Sequence, residues 1–247
     1  MKAEPRSKVV IGVPHTRPFE GSFVEGLWAL QKPEGTTLRL MPNRTIEDAR
    51  NRLVVGALES GADYLLFLDG DMRPPAGGLM RLISRDKDVV SGLAFGRCYP
   101  HWPVSLAEKH GNDYGVDAVE TYKFLSLHRR MWPSVSFRGA LLPADMPDAL
   151  LPRKAAGMAF TLIACRVLEK LSPPYFQLND DGIAGEDAYF CGKAAEAGFD
   201  IWLDRSVVVG HGYGDQCISP MDWLTFFDYA RRQDGEEFAR LSGLGLE

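Results

Sequence analysis

The chain has 247 residues, enough for one large domain or two small ones with a substantial core, and its 45% hydrophobic and 25% charged residues are those of an ordinary globular protein. A formal net charge of −5 leaves no footprint of a nucleic-acid binder, so none is expected as a partner. No apolar run approaches the roughly 18 residues of a membrane span, and the start, "MKAEPRSKVVIGVP", is too weakly apolar for a signal peptide, so a cytoplasmic location is expected. The four cysteines (Cys98, Cys165, Cys191, Cys217) are widely spaced without a CxxC pair, which favours buried free thiols over a zinc site.

In chain order, "KVVIGVP" (8–14) is a short β-rich run stopped by Pro14 and reads as a buried strand. Residues 19–31 have helical spacing, with Phe23, Leu27 and Leu30 on one face. "TLRLMP" (37–42) alternates and predicts a second strand. Ile46, Ala49, Leu53 and Ala57 recur at helical steps over 45–60. Thr45 with Asp48 resembles a capping box, and Gly61 is placed to end the helix. "DYLLFLD" shows no polar alternation, so this strand is expected to be buried on both faces. A short helix over 78–84 and a strand over 88–95 follow. Strands alternating with helices argue for an α/β fold with a mainly parallel sheet, in which ligands collect at the C-terminal ends of strands.

Residues 96–152 differ in character: they are proline-rich, carry Trp102 and Trp132, and read as a long, loop-rich excursion of the functional kind. Regular pattern resumes with "KAAGMAFTLIACRVLEKL", "GEDAYFCGKAAEAGFDIWLD" and "SVVVGH", and ends in an amphipathic helix over about 220–241. No internal repeat or low-complexity segment is present.

Five features carry chemistry. Asp69 and Asp71 follow a buried strand at positions i and i+2, so in an extended chain both side chains point the same way. Two carboxylates that close repel unless a cation lies near them, and oxygen ligands suit Mg²⁺ or Mn²⁺ bridging to phosphates; Asp-Gly-Asp is equally good turn chemistry. Glu186 and Asp187 open a helix, where the dipole alone would favour acids but catalysis by one of them is compatible. "NDDG" (179–182) adds carboxylates, Asp181 among them, in a loop. His211 follows a β-branched strand, where an imidazole is either structural or completes a metal site. Arg50, in "DARNR", is either a solvated helical arginine or a bidentate partner of a diphosphate or of an acidic residue of the site.

This order of elements resembles the GT-A glycosyltransferases, most closely the family 2-like group. The matching parts are the strand ending in Pro14, the helix carrying "ARN" (49–51), the strand ending in the DxD "DGD" (69–71), "GMAFTLIACRVLEKL" (157–171), "GEDAYFCGKAAEAGFDIWLD" (185–204) and a strand ending in His211. The resemblance covers about 8–100 and 155–212. It implies a Rossmann-like, mainly parallel sheet flanked by helices, in one catalytic domain over 1–247. Within it, 8–100 would be the nucleotide-sugar half, 100–152 an insertion facing the acceptor, 153–212 the acceptor and catalytic half, and 213–247 a C-terminal helical segment. It implies a nucleotide-diphospho-sugar donor, with Asp71 and His211 on a divalent metal (Mn²⁺ or Mg²⁺) and Asp69 on the ribose or the metal's water shell. Arg50 would lie near the donor, with Pro14, His15 and Thr16 around the base. Asp187 would be the general base of an inverting transfer, with Glu186 beside it. The sequence departs from the family after the second strand, where "MPNRT" puts Asn43 where relatives often have an aspartate that reads the base, and after Pro14, where "HTRPF" replaces a Tyr-Asn-containing turn. Tyr99, Trp102, Tyr122 and Trp132 offer apolar ring faces for an acceptor sugar, or else pack the excursion onto the body, and Asp181 is a further acceptor candidate.

Three rival readings share parts of this pattern. A haloacid-dehalogenase-like phosphatase also ends a strand in DxD, but a Thr or Val usually follows the second aspartate, where Met72 stands here. A sugar nucleotidyltransferase would want a glycine-rich, basic N-terminal loop, of which "GVPHTRPFEG" is a poor version. A non-catalytic sugar-nucleotide-binding module would not need both acidic motifs and His211.

Overall fold

Eight strands build the central sheet, and the residues that form it are the apolar runs of the sequence. The computed structural model describes residues 7–95, 105–106, 140–146, 149–178, 185–213 and 216–218. In chain order the elements are β1 (Val9–His15), α1 (Gly21–Ala29), β2 (Thr37–Pro42), α2 (Ile46–Glu59), β3 (Tyr64–Leu68), β4 (Met72–Arg73), α3 (Gly78–Ser84), β5 (Val89–Leu93) and β6 (Ser105–Leu106). Then come β7 (Ala140–Leu141), β8 (Leu150–Arg153), β9 (Ala155–Ala156), β10 (Phe160–Ala164), α4 (Cys165–Lys170), α5 (Glu186–Glu196), β11 (Ile201–Val208), β12 (Gly210–Tyr213) and β13 (Gln216–Ile218).

The sheet order is β2-β1-β3-β10-β5-β11-β7, with β8 also on β11. β2, β1, β3, β5 and β11 run in one direction, while β10, inserted between β3 and β5, and the short β7 and β8 oppose them. This is the mainly parallel α/β arrangement that the strand–helix alternation predicts. β3 and β10 are central, and their apolar residues are buried on both faces, as the unbroken runs "YLLFL" and "FTLIA" require. A second sheet of three short strands, β13-β12-β4, stands at the C-terminal end of β3.

One core lies on each face of the sheet. On one, α2, α4 and α5 pack Leu53, Val167 and Phe190 against Val10, Leu65, Phe67 and Ile163; on the other, α1 and α3 pack Phe23, Leu79 and Leu82 against Ile11, Leu66, Leu68 and Phe160. Burying each such side chain stabilises the fold by roughly 1.5–3 kcal/mol. α2 buries Ala49, Leu53 and Ala57, the stripe read from the sequence, and ends where expected. Gly61 takes a left-handed φ of 63°, its N–H bonds to Leu58 O at 3.0 Å and the Ala62 N–H to Ala57 O at 3.3 Å, the paired bonds of a Schellman motif. The same motif closes α5 at Gly198 (φ 91°). The other end of α2 differs from expectation. Thr45 occupies the N-cap without a side-chain bond, and the Asp48 carboxylate, which would complete the box, is held by Arg44 (2.8 Å) and Arg52 (2.9 Å) instead. α3 is tied to β11 through the fully buried Asp204, which accepts from Arg85 at 2.6 and 3.2 Å and from the Ser206 N–H at 2.9 Å.

The excursion over 96–152 contributes more regular structure than its composition suggests. β7 and β8 both pair with β11, and β8 extends the sheet although it contains Pro152, which an edge strand tolerates. Strands of two to four residues show no period for a sequence reading to detect. Tyr99, Trp102, Tyr122, Trp132, Asp181 and the helix expected over 220–241 lie outside the described residues. Cys165 and Cys191 are buried free thiols, as expected, and burial pushes them up to about 11 and about 12, which keeps them protonated and inert. Among the described residues no helix is long and apolar enough to cross a membrane.

Phe176 fastens α5 to the central strand β3. Its ring stacks on Phe190 of α5 (centroids 4.9 Å, 12°) and meets Phe67 of β3 edge-on (5.3 Å, 86°). Truncating this fully buried ring in Phe176→Ala is expected to destabilise the protein by about 3–5 kcal/mol in urea unfolding; a loss below 1 kcal/mol would show that the aromatic stack does not hold α5 to the sheet.

Candidate functional site

The C-terminal ends of β1 and β3 meet at the DGD turn. Asp69 N–H bonds to Ala159 O at 3.1 Å, and Met72 N–H bonds back to Asp69 O at 3.0 Å, so residues 69–72 form a tight turn and not the extended segment assumed from sequence. The two carboxylates therefore diverge: Asp69 turns toward α2 and Asp71 toward β12. Gly70 between them relieves crowding, since a Cβ there would lie 3.0 Å from the Phe19 ring and 3.2 Å from His15 Cβ.

Asp69 meets Arg50, which α2 carries toward the sheet with its side chain 4% exposed. Arg50 Nη2 donates to Asp69 Oδ2 at 3.3 Å and lies 3.1 Å from Oδ1, off the hydrogen-bond direction, so that the buried Oδ1 accepts none. Arg50 Nε donates to Glu186 Oε1 at 3.0 Å, across 136 residues of sequence, and its buried Nη1 has no partner. The guanidinium also lies over the rings of Phe67 (5.1 Å) and Phe176 (5.9 Å). Burial works against the Arg50 charge, but Asp69 and Glu186 raise its pKa overall. Burial likewise pushes the Asp69 carboxyl up, against the pull of Arg50 and with the Asp71 charge adding to the rise. The sequence left open whether Arg50 was solvated or bound to an acidic residue; it binds two.

Glu186 and Asp187 form the first turn of α5, with Gly185 at the N-cap. Asp187 Oδ1 accepts from the Ala188 N–H at 2.8 Å and lies under Gly185, where a Cβ would come within 2.8 Å of it. Burial raises the Asp187 carboxyl, and the adjacent Glu186 charge raises it further.

Asp71 stands one residue before β4, and β4 pairs with β12 so that Met72 is opposite His211. His211 therefore sits on a short strand of the second sheet, beyond the end of β11 at Val208 and not at that strand's own tip as the sequence suggested. Its Nδ1–H donates to Phe95 O at 2.7 Å, which leaves Nε2 facing Asp71 Oδ2 at 3.4 Å. Histidines that ligate metals are commonly fixed in this way, one ring N–H held by a carbonyl and the other nitrogen free to coordinate. Among the described residues no group of three or more His, Cys, Asp or Glu is arranged to hold a metal on its own. A carboxylate and an imidazole fit Mg²⁺ or Mn²⁺ only where a ligand's oxygens complete the sphere, which is the usual way such ions sit on phosphates.

A cavity of about 370 Å³ opens beside the turn. Pro14, His15 and Thr16 wall one side, Arg44, Ile46 and Ala49 at the start of α2 another, and Asp69, Gly70 and Asp71 the floor. His15 packs on Phe19 (4.4 Å), which stacks on Phe23 (4.6 Å), so an aromatic ladder supports that wall from the core. Asn43 is not part of the lining. It adopts a left-handed φ of 53°, its N–H bonds to His15 O at 3.0 Å, and its residue is exposed at the end of β2. Glu20 lines the cavity and went unnoticed in sequence. Its Oε2 is buried without a hydrogen-bond partner against Gly212, where a side chain would collide with it. A lone glutamate before a helix carries no sequence signal for such a place.

No family model matches the sequence, and no curated protein matches it. Solved structures resemble it in fold. A crystal structure of A197 from STIV is similar with a TM-score of 0.59 and 17% identity, over 87% of this chain and 91% of that one. A crystal structure of GalNAc-T7 with UDP, GalNAc and Mn²⁺ has a TM-score of 0.49 and 11% identity over 97% of this chain, which spans 51% of that one. The likeness to A197, together with a mostly parallel central sheet flanked by helices, shows that the chain has a GT-A-like fold.

Proposed function

We propose that the protein is a metal-dependent glycosyltransferase that moves a sugar from a nucleotide-diphospho-sugar donor to an acceptor hydroxyl, with inversion. The observation that carries this reading is the Arg50 bridge. It draws the DGD turn, which floors the cavity, against the helix end that bears Glu186 and Asp187, which supports a single site made from both acidic motifs.

In this reading the donor occupies the cavity, its base between Pro14, His15 and Thr16, with its diphosphate over Asp69 and Asp71. Asp71 and His211 hold the divalent ion. Bound there, the ion would offset the charge that develops on the departing nucleoside diphosphate. Asp69, fixed by Arg50, accepts a hydrogen bond from the ribose or from the ion's water shell. Asp187 takes the proton from the acceptor hydroxyl. Its raised pKa suits that task, because a stronger base gains more from accepting a proton. Glu186 is held by Arg50 and keeps its neighbour oriented. Tyr99, Trp102, Trp132 and Asp181 remain the acceptor candidates that sequence offers. The pairing of Asp69 to a buried arginine counts against the phosphatase reading, in which that aspartate must be a free nucleophile.

Three measurements test the assignment. A thermal-shift panel of UDP-, GDP-, CDP- and dTDP-sugars with Mn²⁺ or EDTA should show a rise with one nucleotide class, worth about 2.7 kcal/mol at a hundredfold excess over Kd. The rise should need metal and vanish in Asp71→Ala; no shift with any donor in folded protein overturns the donor site.

Arg50→Met leaves Asp69 and Glu186 buried without their cation, and should cost about 3–5 kcal/mol in urea unfolding. A cost near zero would mean that the bridge does not join the two halves.

The folded-state pKa of Asp187 is raised, so ionising it costs more in the folded than in the unfolded protein. That penalty is absent at low pH and present once the pH exceeds the folded pKa. Asp187→Asn should therefore hold or raise Tm at pH 7–8 while lowering transfer by about 10²–10⁴-fold. Wild-type kcat/KM should fall as pH drops through a pKa above that of an ordinary aspartate, and an Asn variant that keeps its rate removes Asp187 from the chemistry.

A further inference from the structure

The cavity beside the DGD turn is charged unevenly, and its charges follow the strand order, in which β1 lies between β2 and β3. The three carboxylates of the lining stand on the β3 side: Asp69 and Asp71 in the turn, and Glu20 against Gly212 of β12. The two arginines of the lining, Arg17 and Arg44, come from the chain that leaves β1 and the chain that leaves β2. Arg44 is the more firmly placed. His15 pairs with Pro42 at the ends of the two strands, and the Asn43 N–H bonds to His15 O at 3.0 Å. The next residue, Arg44, is thereby carried beside the wall that His15 and Thr16 form. β2 and β3 are two strand spacings apart, about 10 Å, so Arg44 faces the cavity from the end away from the turn carboxylates.

The guanidinium of Arg44 is held on one side. Its Nη1 donates to Asp48 Oδ2 at 2.8 Å, while Nε and Nη2 have no partner among the described residues. Those two nitrogens share one edge of the group, a fork of two parallel N–H donors with no acceptor.

We infer that Arg44 reads the base of the donor nucleotide, and that this base is guanine or cytosine. The inference rests on the reading of the cavity as a donor site. With the diphosphate over Asp69 and Asp71, the base falls at the β2 end, its face toward the apolar Ile46 and its edge toward Arg44. A fork of two donors is satisfied by two adjacent acceptors on a ring edge. Guanine offers O6 and N7 in that arrangement, and cytosine offers N3 and O2. Uracil and thymine place N3–H between their two carbonyls, and adenine places an amino group beside N7. Each would set a donor against the arginine and leave both without a partner, which is costly.

Titration calorimetry of the full chain with GDP, CDP, UDP, dTDP and ADP, each with Mn²⁺, tests the assignment. GDP or CDP should bind tighter than the others by about 5–150-fold, the worth of one bidentate contact. In Arg44→Met that preference should vanish while UDP binds as before. The variant keeps its fold, because Arg44 is 40% exposed and its pair with Asp48 is a surface ion pair of little weight. A wild-type preference for UDP, dTDP or ADP, or no preference among the five, overturns the inference and leaves the donor site standing. No binding of any nucleotide removes the donor site as well. Equal weakening of all five in Arg44→Met would assign the arginine to the phosphates and overturn the base reading, as would a preference that survives the substitution.

Discussion

Arg50 carries a full charge into a place where water does not reach, and the rest of the site is organised around that fact. A buried guanidinium is tolerated only if carboxylates surround it closely, because the desolvation cost of an ion far exceeds that of any one hydrogen bond. Two carboxylates are available, one from each half of the chain, and each is held to the same cation. The aromatic rings of Phe67 and Phe176 close the remaining sides. Because the ion cluster comes from α2, the DGD turn and α5, these three elements have one relative arrangement in which no charge is stranded. Packing alone would tolerate small slips between helix and sheet, and the charge cluster does not.

A second, softer junction lies on the far side of the turn. β4 and β12 are too short to be stable alone, yet their pairing brings Asp71 and His211 face to face, and the Phe95 carbonyl sets which imidazole nitrogen points inward. Two glycines make the approach possible. Gly70 yields to Phe19 and His15, and Gly212 yields to Glu20. The turn is thus held on one side through Asp69 and α2 and on the other through Asp71 and β12.

Much of the architecture was legible because it depends on burial. "YLLFL" and "VVIGV" are apolar runs that only a central sheet can hide, and the stripe Ala49, Leu53, Ala57 with Gly61 behind it describes a helix and its end. The carboxylates could also be found, since Asp69, Asp71, Glu186 and Asp187 stand at element boundaries where turn chemistry and the helix dipole place acids. What could not be read was direction. Residues two apart share a face in a strand but not in the turn that residues 69–72 make, and no local pattern distinguishes the two. The partners of Arg50 lie 19 and 136 residues away, beyond any periodicity. Glu20 and the edge strands β7 and β8 were missed for the same reason: their places are set by contacts distant in sequence. Asn43, too, owes its place to such a contact: its left-handed backbone closes the ends of β1 and β2 through the bond of its N–H to His15 O.

The position of β10 also governs the order in which the molecule can be made. β3 and β5 are separated by a few residues of helix in sequence but are never neighbours; the gap between them is filled by a strand from residues 160–164. A nascent chain that has emerged through β5 thus holds one edge of β3 and both edges of β5 unpaired, lined by buried residues such as Leu65, Leu66 and Val90, and the gap between the two strands is filled only after more than sixty further residues are added. The first half of this protein is therefore not a domain in the folding sense, whatever it binds. Biosynthesis has to protect an open sheet for the time it takes to translate the excursion, and the ion cluster closes only once α5 has also arrived.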